Sequence, residues 1–142
     1  MDWESRHIAF DAYGLIAHPV ERAERRALIE GWRQRFFPNV FRQTGKWVHL
    51  GYHRPAYSYR MEVALKKSEA LAAYAARAER KLLVYFEDDE LFDAYGEPSP
   101  DLSAWGQDVY VFPHDLAWTM TFTHEQGIGL GPYFALPPES EG

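Results

Sequence analysis

The sequence predicts an α+β fold: a single-layer mixed sheet of about four strands, ending in a C-terminal β-hairpin and packed by two main helices. Three stretches predict it. Residues 19–36 carry apolar side chains at helical spacing, Leu82-Leu83-Val84-Tyr85-Phe86 is an uninterrupted apolar run of strand length, and residues 117–123 alternate with a period of two. The order helix, strand, helix, strand, hairpin then follows along the chain.

Pro19 suits a first helical position, where its missing N–H costs nothing, and Glu21 and Glu24 favour the positive end of the helix dipole. Val20, Ala23, Ala27, Leu28, Trp32 and Phe36 share one face, Arg22, Arg26, Glu30 and Arg33 the other, and Pro38-Asn39 ends the helix. Lys46 to Tyr52, opened by Thr44-Gly45 and rich in aromatic and branched residues, reads as a strand. From His53 to Leu65 two readings stand. Tyr57, Tyr59, Met61, Val63 and Leu65 alternate as in a strand, whereas Pro55 breaks the stretch and allows a loop leading into a helix.

Ser68 is placed to cap a second helix reaching about Arg80, with Leu71, Tyr74, Ala75 and Ala78 as its apolar stripe and its alanines allowing close approach to a sheet. The run Leu82–Phe86 reads as a central strand covered on both sides, with Asp88-Asp89-Glu90 at its exposed end. Leu91 to Tyr95 reads as a short helical turn, and Gly96 to Pro100 as a loop. Asp108–Phe112 and Ala117–Thr123 form the hairpin around the turn Pro113-His114-Asp115-Leu116. On the return strand Trp118, Met120 and Phe122 point to the core, and Thr119, Thr121 and Thr123 to a second surface. Gly127, Gly129 and Gly131 form a loop or lid, Pro132-Tyr133-Phe134 is extended, and residues 136–142 are a frayed, disordered tail.

A chain of 142 residues is the size of one domain, 1–142, and large enough to fold on its own core. With no cysteine it has no disulfide, thiolate metal site or cysteine nucleophile. The net charge of −6 disfavours nucleic acid, which is bound by neutralising phosphates. The first residues lack the basic-then-apolar pattern of a signal peptide, and no apolar run is long enough to span a bilayer, so a cytoplasmic protein without membrane contact is expected. Aromatic content of 16% fits a well-filled core, with an aromatic binding surface as the sharper reading.

The C-terminal residues Asp108-Val109-Tyr110-Val111, Trp118-Thr119, Thr123-His124-Glu125 and Gly131-Pro132-Tyr133-Phe134 resemble a family of small bacterial proteins of unknown function, which end in a D-x-Y-V…W-T…T-H-E…G-P-Y-F pattern. Trp47-Val48-His49 and the alanine-rich helix are loosely similar to the middle of that family. The resemblance implies a bacterial, cytosolic relative and no particular reaction.

Metal binding is not expected. His49 and His53 are four apart, which in a strand separates them by roughly 13 Å. His114 and His124, each followed by a carboxylate, sit at opposite ends of a hairpin strand, roughly 25 Å apart. His124-Glu125, at the junction of strand and glycine loop, is the candidate catalytic pair, His124 as a general base oriented by Glu125. The alternative is that both fix the loop backbone, since no Ser or Cys nucleophile stands beside them in a known pattern. The three glycines lack the following helix and the Gly-Lys-Ser/Thr of a phosphate loop. The arginine-rich face of the first helix is interleaved with glutamates and reads as solvated. Glu87, Asp88, Asp89 and Glu90 lack calcium-loop spacing and could serve as a landing site for a basic partner.

Two functions follow. The first is a non-enzymatic protein-binding module, such as a toxin-neutralising immunity-type protein, needing no cofactor. Its partner surface would be Trp118, Thr119, Thr121, Thr123, His124, Glu125 and Tyr133 together with Glu87, Asp88, Asp89 and Glu90. The second is an enzyme or small-ligand binder with its pocket at His124, Glu125 and the glycine loop.

Overall fold

The structure is a computed structural model and describes residues 10–45, 62–86, 90–102, 108–123 and 131–138. In chain order the strands are β1 (Leu15–Pro19), β2 (Leu65–Lys66), β3 (Lys81–Phe86), β4 (Glu90–Gly96), β5 (Val109–Phe112), β6 (Thr119–Phe122) and β7 (Tyr133–Ala135). The helices are α1 (Arg22–Phe36), α2 (Pro38–Thr44) and α3 (Lys67–Ala75), with a further helical turn at residues 10–12. All seven strands join one sheet in the order β1-β4-β3-β5-β6-β7-β2, and every neighbouring pair is antiparallel.

β3 shows why the sheet is a middle layer. Leu82 to Phe86 are all buried, and successive side chains point to opposite faces. Leu82, Val84 and Phe86 pack with Phe10 and with Ala70 and Tyr74 of α3. Leu83 and Tyr85 pack on the other side with Ile29, Trp32 and Phe36 of α1 and Phe37 and Val40 of α2. The central, doubly covered strand expected at this run is present. The second face is only partly covered: toward β1, Ile16, Asp93 and Tyr95 remain exposed.

This architecture corrects the predicted four-stranded mixed sheet with two main helices. Among the described residues seven strands replace four, and no pair is parallel. Two strands were read as something else. Leu91–Tyr95, expected as a helical turn, is the body of β4, with Phe92 and Ala94 buried and Asp93 and Tyr95 exposed. Pro19, expected to open the helix, closes β1, an edge strand pairing only with β4. An edge tolerates proline because no ladder bond is lost. The helix begins at Arg22, with Glu21 in extended geometry at its cap.

The second helix is shorter than predicted. It starts at Lys67 without a side-chain cap and ends at Ala75, and its buried residues are Ala70 and Tyr74, while Leu71, Ala75 and Ala78 are exposed. The loop after β4 holds its C-terminal end. The Ser99 hydroxyl donates to the Tyr74 and Arg77 carbonyls at 2.8 and 3.1 Å, and the Tyr74 phenol donates to the Pro100 carbonyl at 2.6 Å. The bond to Tyr74 reaches one of the last carbonyls of the helix, where intrahelical partners run out.

The hairpin forms as expected, with Val109 opposite Phe122 and Val111 opposite Met120. The expected second surface does not form. Thr119, Thr121 and Thr123 are as buried as Trp118, Met120 and Phe122, because α1 covers that face. Thr119 is matched chemically to its cover, since its Oγ1 accepts the Trp32 indole N–H at 3.1 Å. After the hairpin, Gly131 adopts φ +104, and a Cβ there would meet Thr123 Cγ2 at 2.7 Å, so glycine alone fits the turn into β7. The predicted strand at Lys46–Tyr52 lies outside the described residues, and of the ambiguous stretch only its end, β2, is described as strand.

Candidate functional site

At the β7–β2 end of the sheet the two covering layers part. The backbone turns sharply from β2 into α3 at Lys67, φ +52, whose N–H donates to the Pro132 carbonyl at 3.0 Å. The turn sets α3 alongside β7, and the chain after β7 runs on as Leu136-Pro137-Pro138. Between α3, β2 and this segment lies a groove of about 690 Å³. Its wall on α3 is made by Ala73 and Ala76, residues too small to fill the space, and its floor by Phe134. Val63, Leu65 and Leu136 form an exposed apolar rim. Asn39 and Arg77 are the polar side chains among the described lining residues.

Arg77 is held by stacking. Its guanidinium carbon lies 5.8 Å from the Trp118 ring centroid and 5.9 Å from that of Phe134, and these two rings are themselves stacked at 5.7 Å. Such contacts fix the plane of a guanidinium without satisfying its N–H groups. The Arg77 Nε is buried and has no hydrogen-bond partner. Behind it the Trp118 indole N–H donates to Glu79 Oε1 at 3.3 Å. On the far side, next to Asn39, Glu62 is buried. Its Oε1 accepts the Asn39 backbone N–H at 2.8 Å in the first turn of α2, while Oε2 has no partner. Burial pushes the Glu62 carboxyl up to about 7, against the smaller opposing pull of the hydrogen bonds from Asn39 and Val40 and the Arg42 charge.

The residues singled out in the sequence fall elsewhere. Trp118, Thr119, Thr121, Thr123 and Tyr133 are interior, so in the folded chain they offer no exposed partner surface. Thr121 is buried with its hydroxyl unpaired. His124, Glu125, Gly127, Gly129, Glu87, Asp88 and Asp89 lie outside the described residues, and Glu90 is a half-buried first residue of β4. His18 and His114 are exposed, with His114 Nε2 3.5 Å from Asp93 Oδ1. Among the described residues no group of three or more His, Asp or Glu side chains could hold a metal ion, and no helix is long and apolar enough to cross a membrane.

Sequence reasoning missed the groove because four distant segments build it, and the one that carries a motif, at Phe134, has no function attached to it. The alanines read from the sequence as allowing close helix–sheet packing, Ala75 and Ala78, are exposed, and the ones at the groove, Ala73 and Ala76, were not singled out. The residues of the C-terminal pattern that are described, including Tyr110, Trp118, Thr119, Tyr133 and Phe134, are packing residues of β5, β6 and β7 and the segment leading into β6. No curated protein and no solved structure matches the chain. Residues 32–134, from the middle of α1 into β7, match the family described as a domain of unknown function (DUF4275), and the chain belongs to that family.

Proposed function

We propose that the chain is a non-catalytic binding protein whose site is the groove between α3, β2 and the segment after β7. The observation that carries this reading is the composition of the groove: an apolar cleft of about 690 Å³ with, among its described lining residues, a single oriented cation. Ligand sites of small molecules have this volume and this balance of apolar lining with few placed polar groups. The groove gathers residues from positions 39 to 138, while His124 and Glu125, the pocket read from the sequence, lie outside the described residues.

The test uses the neutral fluorescent probe N-phenyl-1-naphthylamine. Saturable binding with one site per chain is expected. Ala76→Trp, which puts a large side chain into the groove from the exposed end of α3, is expected to weaken it at least tenfold while the far-UV circular dichroism stays unchanged. No saturable binding, or equal binding by the variant, overturns the reading.

A protein-binding module of the toxin-neutralising kind is the second reading, supported by the net charge of −6, which would steer a basic partner toward it. The groove does not favour it, because its described lining is apolar apart from Asn39 and the positively charged Arg77. A pull-down from native lysate at low salt checks it: a basic partner released by salt is expected, and recovery of none removes its support.

A further inference from the structure

We infer that the ligand of this groove is a small apolar carboxylate and that Arg77 is the residue that holds its head group. The inference rests on the groove being a ligand site, as proposed above, and adds the chemistry of the ligand.

A guanidinium is a planar fork of five N–H donors. That of Arg77 is fixed over Trp118 and Phe134, and its buried Nε has no acceptor. A buried donor without a partner is a cost to the fold. Glu79, two residues on, does not meet this need: its Oε1 takes the Trp118 N–H, and its Oε2 is itself without a hydrogen bond. The neighbouring lining side chains are Ala73, Ala76 and Phe134, which offer no acceptor. Nε is itself out of reach of the groove, so a ligand meets the guanidinium through the part of Arg77 that lines the groove, and the acceptor there comes from the ligand.

The charge and shape of the acceptor follow. One cation balances one negative charge, and an arginine fork matches the two oxygens of a carboxylate. A phosphate monoester brings nearly two charges and would draw on further donors. The Asn39 N–H is already taken by Glu62. The rest of the ligand must be apolar, because Val63, Leu65, Phe134, Leu136 and the alanines of α3 line the remaining length. The aromatic floor adds a reason for arginine rather than lysine, since the delocalised guanidinium stacks and an ammonium does not.

A matched series of probes tests this on the whole chain: decanoate, decanol and decyl phosphate, each displacing N-phenyl-1-naphthylamine. Decanoate is expected to bind at least tenfold more tightly than decanol and more tightly than decyl phosphate. In Arg77→Met the ratio of decanoate to decanol affinity should fall to about one. In Arg77→Lys, which keeps the charge but not the fork, it should be intermediate. Each ratio is internal to one protein, so a general loss of stability in a variant does not imitate the result. Equal binding of decanoate and decanol to the unmodified chain, a preference for decyl phosphate, or a ratio unchanged in Arg77→Met would each overturn the carboxylate assignment while leaving the groove a ligand site. Failure of N-phenyl-1-naphthylamine itself to bind would instead remove the groove reading.

Discussion

Replacing Trp32 with alanine is expected to lower the stability of the fold by about 3–5 kcal/mol, a large part of the 5–15 kcal/mol typical of a domain. Trp32 has no solvent exposure and sits at the centre of the α1 face. Its ring stacks on Phe112 at 5.4 Å and meets Phe37, Tyr85 and Tyr110 with centroids 4.8, 5.4 and 5.0 Å away. Through these contacts one side chain joins α1 and α2 to β3 and β5. Truncation removes the transfer energy of the indole and leaves a cavity whose walls are rigid strands, so little of the loss is recovered by collapse. It also strips the Thr119 hydroxyl of its donor. Trp32→Phe separates the two effects: the ring contacts largely stay and the N–H to Thr119 is lost, for an expected cost of about 1–2 kcal/mol. Urea unfolding followed by circular dichroism measures both. A loss below about 1 kcal/mol for the alanine variant would contradict the anchoring role given to this residue.

The same contact shows what was legible in the sequence and what was not. The alternation over residues 118–123 correctly marks a strand, and the turn at 113–116 correctly marks its hairpin. A row of threonines opposite a row of apolar residues reads as a solvent face by composition. What buries it is a tryptophan 87 residues away that donates to one of those threonines, and no local pattern announces such a partner. In β4 the period of two was present, with Phe92 and Ala94 alternating against Asp93 and Tyr95, but over so few residues leucine and alanine also suit a helix. β1 is shorter still, and its terminal proline is permitted by the edge position, which is itself a tertiary fact. β3 was legible because a strand covered on both faces needs no alternation, only apolar length. The groove was illegible for a different reason: it exists where Ala73 and Ala76 leave space, and small side chains mark packing and vacancy alike.

Glu62 makes the second large prediction, this one with a pH signature. Its carboxyl is held at about 7 in the folded chain, above the ordinary 4.5, because burial penalises the charged form more than Asn39, Val40 and Arg42 stabilise it. Between those two values the folded chain binds more protons than the unfolded one, so stability must fall as pH rises through that window. The contribution is complete below about pH 4.5, is lost progressively up to about 7, and is constant above. The loss is about 2–3 kcal/mol, from 1.36 kcal/mol per pH unit with allowance for solvent relaxation around the carboxylate. Glu62→Gln keeps an oxygen to accept the Asn39 N–H and cannot ionise. It is therefore expected to match the parent near pH 4.5 and to exceed it by about 2 kcal/mol at pH 8, a gain of roughly 4–8 °C in Tm. The general repulsion of a chain with net charge −6 grows with pH in both proteins, so the difference between their urea midpoints isolates the one carboxylate. Parallel midpoints from pH 4.5 to 8.5 would mean that the orphaned Oε2 finds a partner or water on ionisation, and that the groove-side end of α2 is not the dry pocket its burial describes.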